Sequence, residues 1–376
     1  PKYTITNTIL KNIGTIEGCR EVIENAPLIP AYERQFQEDA LHRTVHHGTH
    51  IEGNDLSFEQ AQRLLRQVEA KGETDAAKVA QNTDLVARER DIQEIINYRT
   101  VMEHVDDMFN KHTEGLPAQA GDFAYSGDIA KALHKLIVHR LVPEEVQGQY
   151  RQTQVVLKDS RTGEVTFRPP PSVEVPYLME DFIGWLGSPE GRQNHSVVRA
   201  AVAHYILAAI HPFVEGNGRT ARAFATLILF LEGYDIRRLF SLEEYFDRDS
   251  ESYYKTLIET SGQTQELSER DLTGWVEYFT EGLAIELGRI RDRVRKLSID
   301  AHVRQKRGGS QVYLSERQIK IVEYLSEAER GRMGEIHSLF PMVSDDTVLR
   351  EIQDMTGKGI IKKGGSTKGA FYELVK

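Results

Sequence analysis

The sequence predicts a mainly α protein: a helical body carrying one small β-hairpin, followed by a separate three-helix unit with a two-stranded wing. Three observations carry that expectation. Apolar residues recur at three- and four-residue spacings through most of the 376 residues, which is the helical period. Short β-type runs stand at 154–157 and 165–167, and another hairpin pattern follows residue 359. Capping residues mark helix starts at Ser57, Ser315 and Ser344.

Taken in order, residues 32–70 hold two amphipathic runs interrupted by "THIEGNDL", and Ser57 with Gln60 forms a capping box for the second. Helical patterns follow at 88–109 and 127–141. "KDSRTGE" supplies the turn between Gln154–Leu157 and Val165–Phe167, and prolines 169–171 end that hairpin because they cannot donate to a ladder. Helices resume at 176–187 and 196–210. The second is apolar all round, as a central buried helix must be. "FATLILFLEG" is again apolar and closes at Gly233, a C-cap residue. From 268 to about 305, Leu272, Trp275, Phe279, Leu283, Ile290, Val294 and Leu297 keep one long helical stripe, and "RQKRGGS" reads as a linker. Beyond it, a helix capped by Ser315 and Gln318, a short helix in "MGEIHSLFP", a third helix from Ser344 to Gly357 and a hairpin make a winged helix-turn-helix pattern.

Composition narrows the function classes. Forty per cent hydrophobic and 28% charged residues are ordinary for a globular protein, and a formal net charge of -10 leaves no global nucleic-acid or membrane footprint. A single cysteine, Cys19, excludes an intrachain disulfide framework. No apolar run reaches the roughly 18 residues of a spanning helix. "PKYTITNTIL" has no signal-peptide pattern. The expected location is cytoplasmic.

The chemistry concentrates in "HPFVEGNGRTAR", residues 211–222. An apolar helix ends near Ile210 and another begins near Asn217, with glycines between that allow a sharp bend. Backbone N–H groups in such a bend, at a helix start, have no intrahelical partner and form an anion site. Arg219 and Arg222 stand three apart on the first turn and can face the anion. Glu215 is a hard oxygen ligand suited to phosphate-bound Mg²⁺, and His211 can accept a proton near neutral pH. Base, metal ligand and anion cradle together fit phosphoryl or nucleotidyl transfer. A glycine-rich turn with two surface arginines is the plain structural alternative, and the joining of all the parts in twelve residues weighs against it.

This segment resembles the motif of the Fic family, His-x-Phe-x-(Asp/Glu)-Gly-Asn-Gly-Arg-x-x-Arg, with every fixed position met. The resemblance extends over roughly residues 30–260. It implies an all-helical Fic fold with a hairpin flap, and transfer of AMP from ATP to a Ser, Thr or Tyr hydroxyl of a target protein with release of pyrophosphate. It makes His211 the general base, Phe213 the loop's anchor and Glu215 the Mg²⁺ ligand. Gly216, Asn217 and Gly218 become the phosphate hole, with the Asn217 side chain helping, and Arg219 and Arg222 hold the β and γ phosphates. The hairpin at 154–167 would hold the target segment by β-augmentation. Tyr245, Tyr253 and Tyr254 lie where the family often closes over adenine. The implied division is an N-terminal helical region at 1–110, a Fic core at 111–265, a connecting helix and linker at 266–308, and a winged-helix domain at 309–376. A homodimer is a further expectation from the family.

"GTHIEGN", residues 48–54, resembles the family's inhibitory motif, (Ser/Thr)-x-x-x-Glu-(Gly/Asn). The resemblance implies that Glu52 pairs with Arg222 and takes it from the γ phosphate, the arrangement of the class with an N-terminal inhibitory helix. The plain alternative is a helix-terminal acid before a Gly-Asn bend. The sequence departs from the pattern at Gly48, where Ser or Thr is expected; Thr49 stands one residue late.

His42, His46, His47 and His50 include two i,i+4 pairs. Without a cysteine or a carboxylate at matching spacing, solvated or packed histidines are expected rather than a zinc site. In the C-terminal unit the wing is basic, with Lys362, Lys363 and Lys368, while the third helix starts on Asp345 and Asp346, which DNA phosphates repel. A self-inhibited AMP-transferase is therefore the leading reading. The alternative is a DNA-binding transcriptional regulator with a nucleotide-sensing or silent Fic domain.

Overall fold

The computed structural model describes residues 1–375 apart from 27, 29, 73, 84–86, 115–122, 159–162, 306–313, 342 and 366–369. The centre of the first hairpin's turn, most of the expected linker, Lys368 and the side chain of Leu297 lie outside the described residues. The chain forms two compact units: residues 1–24 with 31–290, and residues 25–30 with 291–376.

The first unit contains α1 (Asn7–Glu24), α2 (Pro30–His50), α3 (Phe58–Lys71), α4 (Ala76–Thr83), α5 (Glu89–Thr113) and α6 (Gly127–Ile137). The hairpin of β1 (Leu157–Lys158) and β2 (Val165–Phe167) follows, then α7 (Val175–Gly187), α8 (Pro189–Arg192), α9 (Ser196–Ile210), α10 (Asn217–Leu229), α11 (Leu242–Arg248) and α12 (Ser250–Gly262). The helix α13 (Thr273–Gln305) starts in this unit. The paired helices α9 and α10 form its centre, with α5 and α6 against α10 and α7 against α9. Four alanines on α9, Ala200, Ala201, Ala203 and Ala209, are buried and let neighbours approach closely. One neighbour is α13, whose Trp275 Nε1 donates to Ala201 O at 2.7 Å.

The capping box of Ser57 and Gln60 is formed, and Gly72 closes α3 in the left-handed region. Three boundaries differ from expectation, each for a local reason. Helix α6 stops at Ile137 rather than 141: Arg140 turns left-handed, and Asn97 Nδ2 takes the carbonyls of Ile137 (3.0 Å) and His139 (2.7 Å). The long helix starts at Thr273 rather than 268, because Asp271 Oδ1 accepts from the Thr273 N–H at 2.9 Å as a cap. Strand pairing begins only at Leu157, opposite Phe167, while the Gln154 side chain bonds Pro169 O at 3.0 Å.

The second unit contains α14 (Glu316–Ala328), α15 (Met333–Ser338), α16 (Asp345–Gly357) and the antiparallel pair β3 (Ile361–Gly364) and β4 (Phe371–Leu374). Ile321, Leu325, Ile336, Val348 and Ile352 fill its core. The Ser315–Gln318 capping box is formed. Ser344 stands at the N-cap of α16 but makes no side-chain cap bond; its Oγ pairs with Thr347 Oγ1 at 2.9 Å instead.

Candidate active site at the end of the buried helix

Helix α9 ends on His211 in the left-handed region (φ 52°), and its N–H still reaches Leu207 O at 3.0 Å. The strained turn throws the ring back over the helix end, where Nδ1 bonds Ala208 O at 3.2 Å. A carbonyl only accepts, so Nδ1 carries the proton and Nε2 keeps its lone pair. Burial pushes the imidazole pKa down to about 4, with Ala208 O and Glu52 partly offsetting it. At neutral pH His211 is a neutral acceptor.

The loop after it is fixed from three sides. Arg151 Nε donates to His211 O at 2.8 Å, and its N–H donates to Pro212 O at 2.8 Å, which ties the loop to the segment leading into the hairpin. Phe213 is fully buried and lies face to face on His134, with centroids 3.8 Å apart. The His134 ring then bridges two backbones: Nε2 donates to Glu215 O and Nδ1 accepts from the Gly148 N–H, both at 2.9 Å. Finally, Asn217 Oδ1 accepts from the Phe213 N–H and Nδ2 donates to Phe213 O, both at 2.9 Å. The Asn217 side chain, expected to help receive phosphate, is thus occupied in closing the loop on itself. What faces the cradle is backbone. Gly216 is left-handed (φ 76°), and a Cβ there would lie 2.9 Å from Val138 Cγ1.

Both motif arginines are buried. Arg219 lies 3.5 Å from Glu94 Oε1 and 3.9 Å from Glu215 Oε1, and its Nε and Nη1 make no hydrogen bond among the described residues. Arg222 Nη2 donates to Gly48 O and to Glu52 Oε1, each at 2.8 Å, and Nη1 lies 3.4 Å from Tyr253 Oη. The Glu52 carboxylate sits directly over Gly218: a Cβ there would strike Oε1 and lie 3.1 Å from the carboxyl carbon. Burial works to raise the Glu52 pKa, yet Arg222, Arg219 and His211 together hold it below the usual carboxylate value. A carboxylate therefore occupies the space between the glycine cradle and the guanidinium of Arg222.

The departure at Gly48 has a steric cause. A Cβ there would lie 3.1 Å from Tyr98 Cδ1 and closer still to Cε1, and the Tyr98 ring is fully buried. Thr49 Oγ1 donates back to Val45 O (3.0 Å) and His46 O (2.9 Å) within α2, away from Glu52. Glu215, the candidate metal ligand, pairs with Arg90. Tyr253 is buried between Arg222 and His204 Nε2 (3.1 Å), and Tyr254 Oη donates to Ile51 O at 3.0 Å. Tyr245 instead packs on Tyr278 and Gly282 of α13, away from the motif. Tyr98, His134 and Arg90 were not legible as site residues, because each arrives from a distant element with no motif around it, and His204 was not because it sits inside the apolar run of α9.

Comparison with known proteins agrees with this geometry. Residues 124–229 match the model of the Fic/DOC family. The chain is 27% identical over 225 residues to a protein adenylyltransferase Fic of Culex quinquefasciatus, a match covering 60% of this chain and 39% of the relative. It is 28% identical over 224 residues to the protein adenylyltransferase Fic of Drosophila grimshawi, covering 60% and 40%. The chain thus spans about two fifths of the length of the curated relatives it matches. Among solved structures, a Fic family protein from Desulfovibrio desulfuricans G20 matches all of this chain and 98% of its own at 22% identity, with a TM-score of 0.58. Fic-1 from C. elegans matches 78% of this chain and 74% of its own at 20% identity, with a TM-score of 0.55.

Proposed function

Taking the Fic domain at residues 124–229 as the premise, we propose that the chain is a protein adenylyltransferase that moves AMP from ATP to a Ser, Thr or Tyr hydroxyl of a target protein, itself included, and that Glu52 restrains it. The observation that carries this reading is the Glu52 carboxylate lying over Gly218 against Arg222, where a phosphate would bind.

In this reading the target hydroxyl gives its proton to His211 Nε2 as its oxygen bonds the α phosphorus. The bond from that phosphorus to the β-phosphate oxygen breaks, and pyrophosphate leaves. Backbone N–H groups at 216–218 and the Nε and Nη1 donors of Arg219, which make no hydrogen bond among the described residues, receive the phosphates. Arg222 joins them once Glu52 withdraws, because one guanidinium edge cannot serve a carboxylate and a γ phosphate together. Glu215 suits Mg²⁺, which takes one or two carboxylates plus phosphate oxygens and keeps its remaining waters; bound there it would offset phosphate charge. Arg90 must release that carboxylate first. Val156 and Val165, 36% and 38% exposed on the hairpin, offer apolar contacts to a target strand added at its edge. Tyr253 and Tyr254 reach the site and are the aromatics carried forward toward adenine. The DNA-binding alternative gains little: α16 starts on Asp345 and Asp346, and Lys362 on the wing pairs with Glu373 at 2.9 Å.

The test uses ATP labelled on the α phosphate with wild type, Glu52→Gly and His211→Ala. More labelled protein is expected from Glu52→Gly and none from His211→Ala. Labelling by Glu52→Gly no stronger than wild type sinks the restraint; labelling that survives His211→Ala sinks the base.

A further inference from the structure

The histidine run of α2 lacks a carboxylate in sequence, and the fold supplies one. Asp247 arrives from α11, 200 residues away, with its side chain 8% exposed. His47 Nδ1 lies 2.7 Å from Asp247 Oδ2, and His50 Nδ1 lies 2.8 Å from Oδ1. A ring nitrogen of His46, one of His47 and a carboxylate oxygen of Asp247 all fall within 4.8 Å of one another. The His46 ring contacts both neighbours, with centroids 4.7 Å from His47 and 5.5 Å from His50. Phe58 walls the cluster, edge-on to His46 at 5.4 Å and stacked on His47 at 6.3 Å.

We propose that this cluster binds one divalent transition metal of the zinc class, with His46, His47 and Asp247 as ligands and His50 as the fourth. Three imidazoles and one carboxylate match Zn²⁺, Co²⁺ or Ni²⁺ and are too nitrogen-rich for Mg²⁺ or Ca²⁺. Metal bonds of about 2.1 Å at tetrahedral angles place donor atoms about 3.4 Å apart. The present 2.7–2.9 Å contacts to Asp247 therefore open by about half an ångström as a metal replaces the shared protons. Each neutral imidazole that turns Nδ1 to the metal carries its ring proton on Nε2 instead. The second cluster on this face, Glu38, His42 and Glu69, has two exposed residues and one imidazole, a poorer donor set.

The site is placed to matter. His50 is two residues before Glu52, and α11 runs on into α12, whose Tyr254 already holds Ile51 O. A metal shared by α2 and α11 fastens the segment that carries Glu52. That consequence rests on the restraint proposed above; the metal site does not.

The test titrates the full chain, stripped with a chelator and dialysed, with Zn²⁺ alone by calorimetry, and follows Co²⁺ by its tetrahedral d–d absorption. One Zn²⁺ per chain is expected. Asp247→Asn and His50→Ala should each weaken it about 10-fold or more, and His42→Ala should leave it unchanged, all on chains whose metal-free melting matches wild type. Absence of stoichiometric Zn²⁺ binding by wild type overturns the proposal, and so does affinity indifferent to Asp247→Asn and His50→Ala. Zn²⁺ should also lower labelling of wild type but not of Glu52→Gly; equal labelling with and without Zn²⁺ removes the fastening role while direct binding stands.

Discussion

Gly48→Ser would restore the residue that the inhibitory pattern calls for, and the structure says it weakens the restraint. The new Cβ would sit 3.1 Å or less from the Tyr98 ring. That ring cannot step aside, because it is fully buried and its hydroxyl donates to Glu243 Oε1 at 3.0 Å. Overpacking of this kind costs about 1–3 kcal/mol. The gain in helix propensity from Gly to Ser is only about half a kcal/mol, so the clash wins. The strain is relieved when the last turn of α2 moves off, taking with it Gly48 O and Glu52, both on Arg222. If all the strain is felt in the paired state, the balance shifts toward release by about 5- to 150-fold. Self-labelling from α-labelled ATP should therefore rise above wild type and approach Glu52→Gly. Tyr98→Ala makes room, so adding Gly48→Ser to it should change labelling little, a coupling readable in a double-mutant cycle. Labelling by Gly48→Ser below wild type, with melting unchanged, would refute the reasoning.

Other outcomes follow from the same geometry. Asn217→Ala strands the buried N–H and C=O of Phe213, at about 1–3 kcal/mol for each unpaired group, and should lower melting and abolish ATP binding together; calorimetry showing intact ATP affinity counts against the clamp. Arg90→Gln frees Glu215 from a half-exposed pair worth at most about 1 kcal/mol, so in a Glu52→Gly background the Mg²⁺ needed for an ATP-dependent melting shift should fall about two- to five-fold; an unchanged requirement refutes competition. Acid stability should fail early. Burial holds His46 and His134 near pKa 4 and His204 well below its ordinary value. Above pH 6.5 neither folded nor unfolded chain protonates these rings and stability is full. As pH falls from 6.5 towards 4 only the unfolded chain takes up the protons, and stability drops by up to about 3 kcal/mol for each of His46 and His134. Asp106, raised by burial to about 6, works the other way, as do Glu232, Asp235 and Glu243, which burial also raises. Urea midpoints that hold steady from pH 7.5 to 5 would contradict this.

The candidate site's central segment was legible because its parts are contiguous: His211, Glu215, Arg219 and Arg222 lie within twelve residues, and the apolar run before them reads as a central helix. Glu52 was legible through its Gly-Asn neighbours. What surrounds them was not. Tyr98, Asp247, Arg90 and His134 act across sequence separations that no local pattern records, and Tyr98 alone explains why residue 48 is glycine. Asn217 was given to the phosphate because it sits in the bend, but Phe213 offered it a buried donor and acceptor at bonding distance, and an unpaired peptide there costs more than an exposed amide gains. Helix α1 escaped notice because polar residues interrupt its buried side, Ile9, Ile16, Cys19 and Ile23. Helix ends moved where side chains such as Asn97 and Asp271 took over the backbone's terminal groups.

The separation of 170 residues between Glu52 and Arg222 bears on how such a chain can change over generations. His211 through Arg222 are contiguous, running from the turn after α9 into the first turns of α10, and each supports the others' placement. The carboxylate facing it lies in the turn just past the end of α2, outside the matched region of 124–229. One codon just past α2 can strengthen, loosen or delete it without altering any residue of 211–222. On the reading proposed above, nucleotide acceptance can thus be retuned at a position separate from the chemistry itself.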